Sequence, residues 1–257
     1  MRLSIIIPAH NEETRISETL EEYGKFFWRE YNRDHEIIVV LNGCEDKTIE
    51  VVERYERKYP SIKHIEFKKS GKGFAVIQGF KEARGDLIGF ADADNATTAP
   101  EFSKLIGGIN GFDGAIGSRW MKDSIVVPKQ PLARRIAGRG FNLLNRMMFD
   151  LKFKDTQCGA KLFTKKAAKA VIPKLGITEW AFDADLLYEM KREGFKIKEV
   201  AISWQDVKGS KLNIIKTPLR MFLSLVRLRL IYSPFKFIVE FYDRRLPEWV
   251  KIHHKLK

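Results

Sequence analysis

The first third of this 257-residue chain alternates short β-branched runs with polar stretches of helical length, and that alternation constrains the fold more than any other feature. The runs are Leu3–Ile7, Glu36–Leu41, His64–Phe67 and Leu87–Ala91; between them Glu12–Tyr31, Asp46–Tyr59 and Phe74–Ala83 have helical length and composition. The pattern predicts βαβ units, a Rossmann-like parallel sheet and right-handed crossovers. A further strand is expected at Gly114–Gly117, followed by a helix around Leu132–Phe149, a strand at Lys161–Thr164, a helix around Ala181–Arg192 and a strand at Ile197–Trp204. Ligands of open α/β sheets sit outside the carboxyl ends of the strands, so the loops after Ile7, Leu41, Ala91 and Gly117 are where chemistry is expected.

Composition matters mainly through where the charge lies. The net charge of +13 is concentrated in two segments: residues 119–152 carry eight Lys/Arg against two acids, residues 214–257 ten against three, and the remainder is neutral. Two local excesses point to specific anionic surfaces or ligands rather than to a general nucleic-acid-binding coat. Cys44 and Cys158 have neither the number nor the spacing of a disulfide framework or zinc site, which fits a reducing cytoplasmic setting. The opening Met-Arg-Leu-Ser-Ile-Ile-Ile-Pro reads as a first strand and not as a signal peptide. No stretch approaches the roughly 20 apolar residues of a spanning helix.

Asp92-Ala93-Asp94 follows the fourth apolar run, so both carboxylates are expected near a strand's carboxyl end. Two close carboxylates make a hard-oxygen site for Mg²⁺ or Mn²⁺, whose other ligands are waters and substrate phosphates; a solvated turn with an N-cap would read the same way. Lys72, between Gly71 and Gly73, could bring backbone and ammonium close to a phosphate or mark a simple turn. Asn11 and Glu12, straight after an apolar strand, can hydrogen-bond a ribose or base edge and can equally start a helix with Asn11 as N-cap.

In order along the chain stand Ile-Ile-Pro-Ala-His-Asn-Glu-Glu (6–13), Gly-Lys-Gly (71–73), Asp-Ala-Asp-Asn-Ala-Thr (92–97), Gly-Ser-Arg (117–119), Asp-Thr-Gln-Cys-Gly-Ala-Lys-Leu-Phe (155–163), Trp-Ala-Phe-Asp (180–183) and Gly-Ser-Lys (209–211). In these motifs and their spacing the chain resembles family 2 glycosyltransferases of the GT-A fold, most of all the dolichyl-phosphate glucosyltransferases and less closely the dolichyl-phosphate mannose synthases. The resemblance implies an α/β GT-A catalytic domain over 1–213, with a nucleotide-sugar half (1–118), an acceptor half (119–213) and a basic amphipathic helical extension (214–257). It implies that Pro8, Ala9, Asn11 and Glu12 line the nucleotide pocket, that Lys72 approaches the donor, and that Asp92, Ala93 and Asp94 form the metal and diphosphate site. Two departures stand out. The family's usual Asp-Asp-Gly-Ser after the second strand is Leu41-Asn42-Gly43-Cys44, leaving Asn42 as a possible hydrogen-bonding group for the nucleotide. Asn95-Ala96-Thr97 replaces the Leu-Gln typical of the mannose synthases, which favours the glucosyl branch.

For the acceptor, the resemblance puts Arg119 near a lipid phosphate and Trp180 and Asp183 on the acceptor side, with Gln157 and Cys158 shaping the same pocket. Helical spacing adds a row: Arg135, Arg139 and Arg146 fall within about 40° of one another, with Leu132, Ile136, Leu143 and Met147 on the adjoining strip. Such a pairing suits a phosphate head with a hydrocarbon tail, or is an ordinary amphipathic helix. In the C-terminal segment Leu219, Phe222, Leu223, Val226 and Leu230 share helical spacing opposite Lys216, Arg220 and Arg227; Phe235, Ile238, Val239 and Tyr242 repeat the pattern. These helices can lie on an anionic bilayer or pack on the core. Lys211 in Gly-Ser-Lys could reach a diphosphate from a mobile loop.

The resulting expectation is a peripheral enzyme of the cytoplasmic membrane face. It would transfer a hexose, glucose from UDP-glucose first of all, to a polyprenyl or dolichyl phosphate with inversion, using Mg²⁺ or Mn²⁺; Asp92, Asp94, Arg119 and Lys211 would carry the chemistry. Transfer from GDP-mannose, a saccharide acceptor with Asp183 as base, and a basic nucleic-acid-binding module are the competing readings.

Overall fold

The computed structural model describes residues 2–32, 34–128, 132–176, 180–205 and 216–245. Lys211, His253 and His254 lie outside them. The alternating pattern folds as expected: β1 (Leu3–Ala9), α1 (Ile16–Tyr31), β2 (His35–Asn42), α2 (Thr48–Lys58), β3 (Ile62–Phe67), α3 (Lys72–Glu82) and β4 (Leu87–Phe90) form βαβ units with β3, β2, β1 and β4 adjacent and parallel. After them come α4 (Ala99–Gly108), β5 (Gly114–Ser118), β6 (Ile125–Val127), α5 (Leu132–Phe149), β7 (Lys161–Thr164), α6 (Lys165–Val171), α7 (Phe182–Arg192), β8 (Ile197–Ala201), β9 (Ser203–Gln205), α8 (Lys216–Ile231) and α9 (Lys236–Arg245).

The strands of the first half read as unbroken apolar runs because both faces of the sheet are covered. Ile5, Ile7, Val39 and Leu41 point to one side, where α1 and α4 supply Leu20, Tyr23, Phe27 and Phe102. Ile6, Ile38 and Val40 point to the other, where α3, α6 and α7 supply Val76, Phe80, Val171 and Leu187. The strand order is β3-β2-β1-β4-β7-β5-β8, with β7 antiparallel to both neighbours, so a strand from the second half sits between two from the first. β6 and β9 form a separate parallel pair.

The expected strand 197–204 divides into β8 and β9, and α4, α6 and β6 are additional elements. The first helix starts at Ile16 and not at Glu12, so Asn11 does not cap it. Asn11 instead takes a left-handed φ of 54° and accepts a hydrogen bond from the Glu45 backbone N–H, tying the β1–α1 loop to the β2–α2 loop. In α8 the inward residues are Leu225 and Leu228, whereas Leu219 and Phe222 of the expected apolar face are exposed. Of the apolar set expected around α9, Val239 is buried while Phe235 and Ile238 are exposed.

Candidate active site

The ends of β1, β2 and β4 and the start of α3 converge on one cleft, lined by Pro8, His10, Glu12, Asn42, Lys72, Asp92, Ala93 and Asp94. Seven of the residues expected at the donor are thus brought together; Ala9 and Asn11 stay out of the lining, and His10 joins it. His10 hydrogen-bonds the Asn42 carbonyl oxygen through Nδ1 at 2.7 Å. Nothing in its sequence spacing marked it, since a single histidine carries no pattern.

Asn42 touches the cleft, but its side chain works inward. Its Nδ2 donates to the Ala9 and Val40 carbonyl oxygens, and its Oδ1 accepts from the Gly71 N–H at 2.9 Å. It is 2% exposed and holds the Gly-Lys-Gly turn in place. The two glycines of that turn have separate reasons. Gly71 has φ 135°, and a Cβ on Gly73 would stand 2.7 Å from the Phe182 ring of α7. Lys72 therefore opens α3 with its ammonium on Asp92 Oδ1 at 2.5 Å. The side chains of that pair remain 39% and 36% exposed, so water screens much of the attraction.

The two carboxylates are held differently. Burial works against the charge of Asp92, yet Lys72 keeps its carboxyl below the usual range. Burial, and then the charge of Asp92, push the Asp94 carboxyl above its ordinary value. Asp94 Oδ1 accepts from the Ala96 N–H. The loop they occupy is gripped by α1: Thr19 Oγ1 donates to the Ala93 carbonyl, Glu22 accepts from Asn95 Nδ2 and the Ala99 N–H, and Tyr23 OH donates to the Thr97 carbonyl. A fixed pair of hard oxygens whose mutual repulsion is only partly relieved fits Mg²⁺ or Mn²⁺. Among the described residues no third His, Cys, Asp or Glu joins them, which leaves positions for water and phosphate oxygens.

Glu12 is clasped by Arg15, Nε on Oε2 at 2.8 Å and Nη2 on Oε1 at 2.7 Å. Glu12 is thus held in the cleft lining, where Pro8 also stands.

The second-half residues are arranged less uniformly. Arg119, just after β5, binds fully buried Asp155 through Nε at 2.7 Å, Nη2 at 2.9 Å and its backbone N–H, and its guanidinium lies 5.3 Å over the Trp204 ring. Much of its hydrogen-bonding capacity and one face are therefore already used. Gln157 follows in the same loop, its N–H on Asp155 Oδ1 and its buried Nε2 without a hydrogen-bond partner. Cys158 has no exposure, and burial, then Asp155, push its thiol up to about 11, so it is an inert packing group. Asp183 sits in the first turn of α7 with Oδ1 on Lys161 Nζ at 2.6 Å, and Trp180 is 36% exposed.

On α5 the buried face is Phe141, Asn142, Asn145 and Phe149. Leu132, Ile136, Leu143 and Met147 are all more than half exposed, as the helix offers its apolar strip to the outside. Arg139 is exposed with its guanidinium 5.0 Å over the Trp120 ring, which brings the row to the loop that carries Arg119; Arg135 is half-buried and Arg146 exposed.

A mostly parallel α/β sheet with a carboxylate pair after β4 and a lysine at the head of α3 is the arrangement expected of a GT-A glycosyltransferase that uses nucleotide sugars. Residues 4–172 match the family described as Glycosyl transferase family 2, and the chain belongs to it. It is 36% identical over 243 residues to the dolichyl-phosphate beta-glucosyltransferase of Dictyostelium discoideum, covering 90% of this chain and 74% of that one. Its identity to the human protein of that name is 34% over 245 residues, covering 90% and 76%. Among solved structures, glucosyl-3-phosphoglycerate synthase from Mycobacterium tuberculosis, in complex with Mn²⁺, UDP and glucosyl-3-phosphoglycerate, superposes with a TM-score of 0.68 at 16% identity, over 89% of this chain and 79% of that one. S. aureus TarS 1–349 in complex with UDP-GlcNAc gives 0.59 at 18% identity, over 99% and 78%. These two share the fold.

Proposed function

We propose that this chain transfers glucose from UDP-glucose to a dolichyl or related polyprenyl phosphate, with inversion at the anomeric carbon, at an anionic membrane surface. The observation that carries the reading is the cleft itself. Asp92, Asp94 and Lys72 meet Pro8, His10 and Glu12 in one concavity, in a chain about a third identical over nine-tenths of its length to dolichyl-phosphate beta-glucosyltransferases. Asp92 and Asp94 would hold Mg²⁺ or Mn²⁺, which supplies Lewis-acid neutralisation of the departing diphosphate. Lys72 adds a cation next to the same oxygens. With Asn42 committed to the Gly71 turn, the base and ribose fall to Pro8, His10 and Glu12.

The acceptor phosphate is already anionic at neutral pH, so no strong base is needed and orientation dominates. Arg139 and Arg135 would present it, with Arg119 fixing the floor, Trp180 and Gln157 bordering the acceptor side, and Lys211 closing on the diphosphate. The saccharide-acceptor alternative needs Asp183 as a base. One of its oxygens is occupied by a buried ammonium, which disfavours that role.

No helix among the described residues is long and apolar enough to cross a membrane. The exposed Leu132, Ile136, Leu143 and Met147 of α5, with Phe222 of α8 and Phe237 and Phe241 of α9, form the contact proposed for the bilayer interface. The functional test incubates the protein with radiolabelled UDP-glucose, GDP-mannose or UDP-GlcNAc, Mn²⁺ and a polyprenyl phosphate. Label should pass to the organic phase from UDP-glucose. Label appearing only on soluble saccharides, or only from GDP-mannose, would overturn the assignment.

A further inference from the structure

Lys161 is a fully buried charge that the cleft does not account for. It opens β7 in the middle of the sheet, paired with Phe90 of β4 and Ile116 of β5, and its side chain has no solvent exposure. Removing an ammonium from water costs several kcal/mol unless its donors are taken up, so its partners must explain it. Nζ donates to the Cys158 carbonyl oxygen at 2.5 Å and to Asp183 Oδ1 at 2.6 Å, and the Phe90 ring centre lies 5.3 Å away.

Two of these partners lead to residues that touch cleft-lining groups or their chain neighbours. The Cys158 carbonyl belongs to the peptide that joins Gly159, and a Cβ on Gly159 would overlap the Asp92 carboxylate. That residue is therefore glycine because Asp92 rests directly on its backbone. Asp183 stands in the first turn of α7, beside Phe182, whose ring closes on Gly73 next to Lys72. A single chain of contacts thus runs from Asp92 through Gly159 and the Cys158 carbonyl to Lys161, and from there to Asp183 and the head of α7.

We propose that Lys161 is a positioning residue for the transfer reaction: it holds the Cys158–Gly159 backbone under Asp92 and ties it to Asp183 at the head of α7, so fixing where the Asp92 carboxylate stands in the cleft. The inference rests on the function proposed above. A simple core ion pair would make a different prediction, because it would require only that Lys161 and Asp183 neutralise each other.

The test is a double-mutant cycle of Lys161→Met, Asp183→Asn and the pair, read by thermal stability, by calorimetric binding of Mn²⁺ with UDP, and by the split between kcat and the donor KM. Removing both charges leaves no unpaired ion, so the double variant should stay folded and exceed Lys161→Met in stability, while in Asp183→Asn the amide oxygen still accepts from the ammonium and keeps that variant folded for comparison. Compared with Asp183→Asn alone, it should bind Mn²⁺ with UDP at least about tenfold more weakly, because the peptide beneath Asp92 has lost its anchor. Identical Mn²⁺ and UDP binding by the double variant and Asp183→Asn would overturn the proposal and return Lys161 to a core ion pair. If the double variant does not fold, Gly159→Ala takes its place: it should weaken Mn²⁺ binding similarly, and a folded Gly159→Ala protein with unchanged binding would refute the link. A wild-type chain that binds no UDP with Mn²⁺ would overturn this inference and the proposed function together.

Discussion

The donor cleft and the outer surface of the second half are built on opposite terms. On the donor side, polar groups are fastened to one another and to the backbone: Asn42 holds Gly71, α1 grips the Asp92–Asp94 loop at Ala93, Asn95, Thr97 and Ala99, and Arg15 clasps Glu12. On the surface proposed for the acceptor, α5 and α9 turn Leu143, Met147, Phe237 and Phe241 outward, with Arg139 resting on Trp120. A small polar ligand is recognised by groups already in position, since reorganisation at the moment of binding would cost affinity and rate. A lipid is recognised by apolar area that needs little shaping. On the proposed function, then, the fastened cleft serves the donor and the exposed apolar surface the lipid, and each substitution below tests whether that division holds.

The largest effect is expected on the donor side. Asp94→Asn keeps an oxygen for the Ala96 N–H but loses the charge needed beside Asp92, so the fold should be preserved while transfer falls about a thousandfold, several kcal/mol of transition-state stabilisation. Initial rates at saturating UDP-glucose, with circular dichroism as the control for folding, measure it. Turnover within a few-fold of wild type would break the assignment of the carboxylate pair and with it the contrast.

Asp155 lies at the boundary and should act through stability. Burial opposes its charge, but Arg119 draws its carboxyl below the ordinary value. A carboxylate whose folded value is depressed contributes stability that is complete above its unfolded pKa of about 3.9 and disappears as pH falls through the lower folded value. Asp155→Asn strands a buried guanidinium and should cost about 3–5 kcal/mol. The gap in Tm between wild type and variant should stay level from pH 7 to about 5 and close at lower pH. A gap that widens toward acid would contradict the ion pair as the source of the effect.

The donor side was largely legible in the sequence, and the acceptor side only in part, for physical reasons. Strands covered on both faces announce themselves as runs such as Ile5–Ile7 and Ile37–Leu41, and a glycine such as Gly71, at φ 135°, marks a turn that few other residues could make. Lys161 could not be read this way, because lysine in a four-residue strand ordinarily signals an exposed edge and its burial depends on Asp183 and Cys158 meeting it in three dimensions. The antiparallel insertion of β7 was hidden for the same reason. In α8 the apolar residues Leu223, Leu225, Val226, Leu228 and Leu230 spread over a wide arc outside the Lys216, Arg220 and Arg227 side, so spacing alone could not choose which part of that arc faces inward. Leu225 and Leu228 face the core, and deleting residues 214–257 would remove part of it and not only a membrane contact.

The smallest effect tests the proposed acceptor surface at an exposed cation. Arg139→Ala should leave Tm and UDP-glucose binding nearly unchanged, because the side chain is exposed and its described contact is the Trp120 ring. A charge-assisted hydrogen bond to phosphate contributes on the order of 1.5–3 kcal/mol, so the KM for polyprenyl phosphate should rise about ten- to a hundredfold. Arg139→Lys should recover only part of that loss, since an ammonium can neither fork onto two phosphate oxygens nor stack as flatly on the indole. The measurement is a pair of saturation curves, one varying lipid phosphate and one varying UDP-glucose, for the three proteins. Equal loss on both curves would mean that the arginine row supports the diphosphate site, joining the two sides that the fold keeps apart. No change on either would make the row a solvated helix face, leaving the apolar strip of α5 to recognise the acceptor without it.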